Sequence, residues 1–150
     1  MPTFAKLSAE NNLQEIIKTA FDTELPIDGA WGYTQALATI LSHSDIPVIQ
    51  LEHMFASMRA YVEMNMTQNE EERYASINLK ELSREEKNLG SENYHKISYE
   101  ITAIKESLYT VFIKEYKENY GDESFDLSAH FKKRKESTLH REVIHWFKVN

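Results

Sequence analysis

A chain of 150 residues, 41% of them hydrophobic, is long enough to bury one core without covalent staples, and its lack of cysteine excludes disulfides, thiolate nucleophiles and cysteine-ligated metal centres. Its formal charge of −7 is uneven: residues 1–70 hold three basic residues (Lys6, Lys18, Arg59) against nine acidic ones, for −6, and residues 71–150 hold 14 against 15, for −1. An acidic field repels phosphate backbones and anionic membranes, so a basic protein surface is a better electrostatic match than nucleic acid.

Ser8 is a suitable N-cap for a first helix, in which Leu13, Ile16, Ile17, Ala20 and Phe21 recur on one face. Leu25 to Tyr33 contains Pro26 and two of the four glycines, Gly29 and Gly32, and reads as a sharply turning loop that carries Trp31 and Tyr33. In Thr34 to Ser42 the alternation of Ala36, Ala38 and Ile40 favours a short strand, although Leu37, Ile40 and Leu41 also suit a short helix. Asp45-Ile46-Pro47 opens a second helix, expected over Pro47 to Asn65. Its apolar stripe is Leu51, Met54, Phe55, Met58, Tyr61 and Val62, with Glu52, Arg59 and Glu63 at the margin.

The polar run Thr67 to Arg73 ends that helix. Ala75, Ile77 and Leu79 then alternate, as do Ile97, Tyr99, Ile101 and Ala103, the pattern of two antiparallel strands. Between them lies a polar connection with Ser83, Glu86 and Gly90, in which Ser83 to Glu86 also matches a capping box and Gly90 a helix stop, so the connection has room for one helical turn. Leu108, Tyr109, Phe112, Ile113 and Tyr116 restore helical spacing up to Tyr120-Gly121-Asp122. Asp126 caps a fourth helix, with Leu127, His130 and Phe131 inward and Lys132 to Lys135 outward. Val143 to Val149 is rich in β-formers and completes the sheet. The expectation is one α+β domain over residues 1–150, a small, largely antiparallel sheet with three to four packed helices. With no basic-then-apolar leader and no apolar run near the roughly 18 residues that span a bilayer, a soluble, cytoplasmic, bacterial protein is expected, with no membrane association.

Three places carry chemistry-bearing side chains. Arg59 between Glu52 and Glu63 suits an anion or an oriented carboxylate, or forms an ordinary i, i+4 pair with Glu63; its stem is expected to pack half-buried on the stripe. Trp31 and Tyr33 offer flat amphipathic contact area beside glycines, or plug the core. His140 and His145, five residues apart, lie on opposite faces of a strand, where Arg141 shares the face of His145. That spacing is not a metal motif, and no cofactor signature is present. The sequence leaves two readings of function. One is a protein-interaction, accessory or regulatory module, of the immunity or antitoxin kind, that meets a basic partner through its acidic half and exposed aromatics. The other is a small hydrolase or small-molecule-binding protein in which Glu52, Arg59, Glu63, His140 and His145 converge near Trp31.

Overall fold

The computed structural model describes residues 4–8 and 13–149. The chain runs through α1 (Leu13–Phe21), β1 (Ile27–Gly29), β2 (Thr39–Leu41) and α2 (Val48–Tyr61), which continues as a π turn, Val62–Met66. A 3-10 turn at Glu70–Glu72 leads into the long strands β3 (Tyr74–Leu89) and β4 (Glu92–Lys105). Helices α3 (Glu106–Glu118) and α4 (Leu127–Glu136) form a hairpin before the last strand, β5 (Leu139–Val149). The helix start expected at Ser8 falls on residues 9–12, outside the described residues.

The fold is mixed α+β, a five-stranded, mostly antiparallel sheet in the order β1-β2-β5-β4-β3 with helices packed against it. The exception is β2, which runs parallel to β5 with Thr39 opposite Phe147 and Leu41 opposite Val149. Burial follows the period-2 pattern of a half-buried sheet: Ile97, Tyr99, Ile101 and Ala103 on β4, and His145 and Phe147 on β5, face inward. Leu13 and Ile17 of α1, Leu51 and Phe55 of α2, and Trp31 complete the main core. A smaller cluster joins Ala60, Met64 and Tyr74 to Ile101 and Ala103. Asn65 pins the start of β3 to the π turn, its amide donating to Tyr74 O at 2.9 Å and its oxygen accepting from Tyr74 N at 2.7 Å.

Three expectations are corrected. The loop from Leu25 to Tyr33 contains strand β1, paired with β2 from Ile27/Leu41 to Gly29/Thr39. The short strand favoured within Thr34 to Ser42 does form, at Thr39–Leu41, after Thr34 to Leu37 closes a turn in which Leu37 N donates to Thr34 O at 3.1 Å. No helical turn forms at Ser83 to Glu86. The strand runs on to Leu89, and Gly90-Ser91 makes a two-residue hairpin loop with Gly90 at φ 69°, where the left-handed conformation suits glycine. In α4 only His130 is buried, while Leu127 and Phe131 are exposed; Asp126 does cap that helix, accepting from Ala129 N at 3.0 Å.

Gly32 is the tightest backbone position. Its φ is 89°, and a Cβ there would overlap the His145 imidazole and lie 2.9 Å from Trp146 O. Gly32 O also accepts from Trp146 N at 2.7 Å, which locks the loop onto β5. Gly32→Ala is expected to destabilise the fold by about 2–3 kcal/mol in urea denaturation, from left-handed strain and overpacking together.

Candidate functional site

Helix α2 presents an unexpected face to the core. Leu51, Glu52, Phe55, Ala56, Arg59 and Ala60 are buried, followed by Glu63 in the π turn, whereas Met54 and Met58 sit at the margin and Tyr61 is exposed. The three charged residues therefore lie within the buried face, and part of the expected stripe lies outside it. Such burial persists only where each charge is matched by hydrogen bonds or an opposite charge. All three are matched, by different partners.

Arg59, 2% exposed, donates from Nη1 to Trp31 O at 3.2 Å and from Nη2 to Ile144 O at 3.0 Å. It is fully buried, not half-buried, and among the described residues no carboxylate lies within 4.0 Å of it. The expected Arg59–Glu63 pair does not form. Glu63 instead accepts from the Tyr33 hydroxyl at 2.5 Å and from Arg141 Nη1 at 3.1 Å. Burial lowers the pKa of Arg59, opposed by the field of Glu63, but a guanidinium stays charged at any ordinary pH. Its plane lies over the Tyr33 ring, 4.7 Å from the centroid, a cation–π contact. Burial, then the bond to Glu63, pushes the Tyr33 phenol well above its ordinary pKa, so the hydroxyl keeps its proton and donates.

These groups line a cleft of about 300 Å³ with Phe4 and Lys6 of the N-terminal segment and Glu142, Val143 and Ile144 of β5. The Arg141 guanidinium covers the Phe4 ring at 4.5 Å, and Lys6 Nζ lies 5.7 Å from the Tyr33 centroid. Two cations, Lys6 and Arg141, and two carboxylates, Glu63 and Glu142, thus line the cleft, with the buried Arg59 guanidinium at its base.

His145 is fully buried between Phe147, stacked at 4.0 Å, and the edge of Phe55. The Thr39 hydroxyl gives its one proton to Ala30 O at 2.7 Å, so at 2.9 Å it can only accept from His145 Nε2. That places the imidazole proton on Nε2 and leaves Nδ1 a bare acceptor, without a partner among the described residues. Burial, reinforced by the nearby Arg59, holds the His145 pKa well below its ordinary value.

The remaining residues lie elsewhere. Glu52 is enclosed by Arg84 Nη1 at 2.8 Å and His95 Nδ1 at 2.7 Å, a bridge from α2 to the β3–β4 hairpin. His140 is exposed on β5, 3.9 Å from Glu100. Trp31 is a core residue stacked on Phe55 at 5.6 Å. Of the sequence candidates, the structure brings together Tyr33, Arg59, Glu63 and the Trp31 carbonyl, sets His145 beside them in the core, and separates Glu52 and His140. The sequence reading missed Phe4 and Lys6, which no periodicity marks, and the role of Arg141, whose signal was the shared strand face with His145. Among the described residues no three histidine, aspartate or glutamate side chains form a metal-ligand set.

Two measurements check this arrangement. Arg59→Ala leaves two carbonyls unpaired and removes the guanidinium that covers the Tyr33 ring, and is expected to cost about 3 kcal/mol or more in chemical denaturation. Below about pH 6.5 the unfolded chain protonates His145 while the folded chain does not, so stability is full above that pH and falls as pH drops, by up to about 1.4 kcal/mol per unit. His145→Gln should flatten that part of the stability profile between pH 7.5 and 5.5. Compared with family models, with curated proteins and with solved structures, the chain has no match.

Proposed function

We propose that the protein is a binding domain for a small molecule with an anionic group, seated in the cleft between the N-terminal segment, Tyr33 and β5. One observation carries this reading: the Arg59 guanidinium is buried at the base of a cleft with no carboxylate of its own, and Lys6 and Arg141 flank the opening. Two of the five guanidinium donors serve backbone carbonyls. Arg141 and the Tyr33–Glu63 pair supply fixed polar groups, and Phe4 and Val143 supply apolar contact, the mixture typical of small-ligand sites. A carboxylate or phosphate on the ligand would complement the excess positive charge and pair with the forked guanidinium geometry.

A second reading, the protein-interaction or regulatory module, draws on a different feature. An open groove of about 400 Å³ runs past Phe21, Met54, Met58, Tyr61 and Ile77, and methionine-rich apolar grooves adapt to varied partner surfaces. Its other supports are thinner than the sequence implies, since two of the nine acids of residues 1–70, Glu52 and Glu63, are buried and Trp31 is internal.

A thermal-shift screen of small carboxylates and phosphomonoesters separates the two. A ligand at about ten times its Kd adds about 1.4 kcal/mol of stability, a rise of about 3–5 °C for a chain of this size. The expected result is such a rise in the wild type, lost in Arg141→Ala when each protein is compared with its own unliganded melting temperature, since removing the partner of the buried Glu63 lowers stability by itself. A screen in which no anionic ligand stabilises the protein, or in which Arg141→Ala responds equally, overturns the reading.

A further inference from the structure

The aromatic rings of this protein divide into two groups. Several carry one of the chain's own cations over their faces: Lys96 over Trp146 at 5.5 Å, Lys105 over Tyr74 at 4.9 Å, Arg134 over Tyr109 and Phe131 at 5.9 and 5.6 Å, and the cleft pairs at Phe4 and Tyr33. Among the described residues, no lysine or arginine lies over Tyr116, Tyr120 or Phe125. These three rings surround a single hollow of about 140 Å³ where α3 turns into α4, closed by Asn119, Asp122 and Leu127.

The local chain explains how the hollow is made. Helix α3 ends at Glu118, so Tyr116 sits in its last turn and Tyr120 in the turn that follows, past the Asn119 C-cap. Their centroids are 6.0 Å apart with planes at 62°, so they form two walls of a corner and do not stack on each other. Gly121, at φ 81°, reverses the chain, and Asp122 N donates to Asn119 O at 3.0 Å. Phe125 N then donates to Asp122 O at 3.2 Å, which brings the Phe125 ring back as the third wall. Tyr116 is held from behind by His130 and Phe131, at 6.0 and 6.1 Å, and Phe125 by His130 at 5.8 Å. Two walls are thus anchored to the buried His130, and the third, Tyr120, stands in solvent.

Asp122 gives the hollow its charge. Its Oδ1 accepts from the Ser124 hydroxyl at 2.6 Å and from Ser124 N at 2.9 Å, and among the described residues Oδ2 has no hydrogen-bond partner. These two bonds lower its pKa, so the carboxylate is ionised throughout the neutral range.

We propose that this turn is a binding site for a trimethylammonium group, free or carried on a methylated lysine side chain. Aromatic faces attract a cation through their quadrupoles, and a methylated ammonium, which sheds water readily and presents apolar methyl groups, gains most from a cage of several rings. The volume suits a group of about the bulk of benzene. An unmethylated ammonium is strongly hydrated and loses more on entering. The site shares no residue with the Arg59 cleft, so it stands or falls apart from the anion-binding reading.

Titration of the ¹⁵N- and ¹³C-labelled protein with choline and with N-acetyl-trimethyllysine amide, followed by NMR of the Tyr116, Tyr120 and Phe125 rings and of the Gly121 amide, tests this directly. Saturable shifts at these positions, with Kd on the order of millimolar, are expected from at least one of the two; the tighter one identifies the carrier. Tyr120→Ala, on an exposed side chain, should weaken binding tenfold or more at an unchanged melting temperature, Tyr120→Phe should retain it, and Asp122→Asn should weaken it several-fold. The proposal is overturned if neither probe gives saturable shifts, or if the neutral isostere 3,3-dimethylbutan-1-ol shifts the same signals equally.

Discussion

Arg59 finishes an edge that the sheet leaves open. Strand β5 pairs with β2 only over residues 147–149, and upstream of that its β2-facing side would expose bare backbone groups in the core. Gly32 O takes Trp146 N, and the Arg59 guanidinium takes Ile144 O while also holding Trp31 O. One side chain from α2 thereby substitutes for the missing strand and clamps the loop around Trp31 against the sheet. Unpaired backbone groups in an interior are costly enough that some partner is obligatory. The position of α2, the depth of Trp31 and the floor of the cleft all follow from this partner being a forked cation.

The same logic extends along the helix. Glu52 meets Arg84 and His95 of the hairpin, and Glu63 meets Arg141 of β5, so acids of the first half of the chain are matched by arginines of the second. Removing one member of such a group leaves an uncompensated charge in low dielectric, whereas the intact group contributes specificity of position. Because polar partners from three elements must be in place together, the packing of α2 is defined in register as well as in direction. The Met54–Met58–Tyr61 side of the helix, free of such constraints, is where an open apolar groove persists.

Much of the fold was legible in the sequence because period and burial agree over most of its length. The inward alternation of Ile97, Tyr99, Ile101 and Ala103, the helical spacing of Leu108 to Tyr116 and the Asp126 cap all carry local signals that place the right element, although on α3 only Phe112 is buried and Leu108 is exposed. Legibility failed where long-range pairing overrode local preference. Ile27–Gly29 is too short to show a period, and Ser83 to Glu86 resembles a capping box yet is held extended by thirteen pairings along β3 and β4. At the candidate site the residue types Tyr33, Arg59 and Glu63 were readable, but their wiring was not. Hydropathy places charges at a helix margin by default, and only the three-dimensional partners reveal them inside.

The parallel contact between β2 and β5 joins Thr39 to Phe147, residues 108 positions apart. Closing so large a loop carries an entropic cost that only the contacts formed afterwards offset. The β3–β4–β5 platform, whose β3–β4 turn is two residues long, pairs residues nearer in sequence than β2 and β5 are. Loop-closure entropy therefore favours forming that platform before the β2–β5 contact. High contact order of this kind slows folding, and the cleft, which draws on the N-terminal segment, α2 and β5, exists only once all of them are in place.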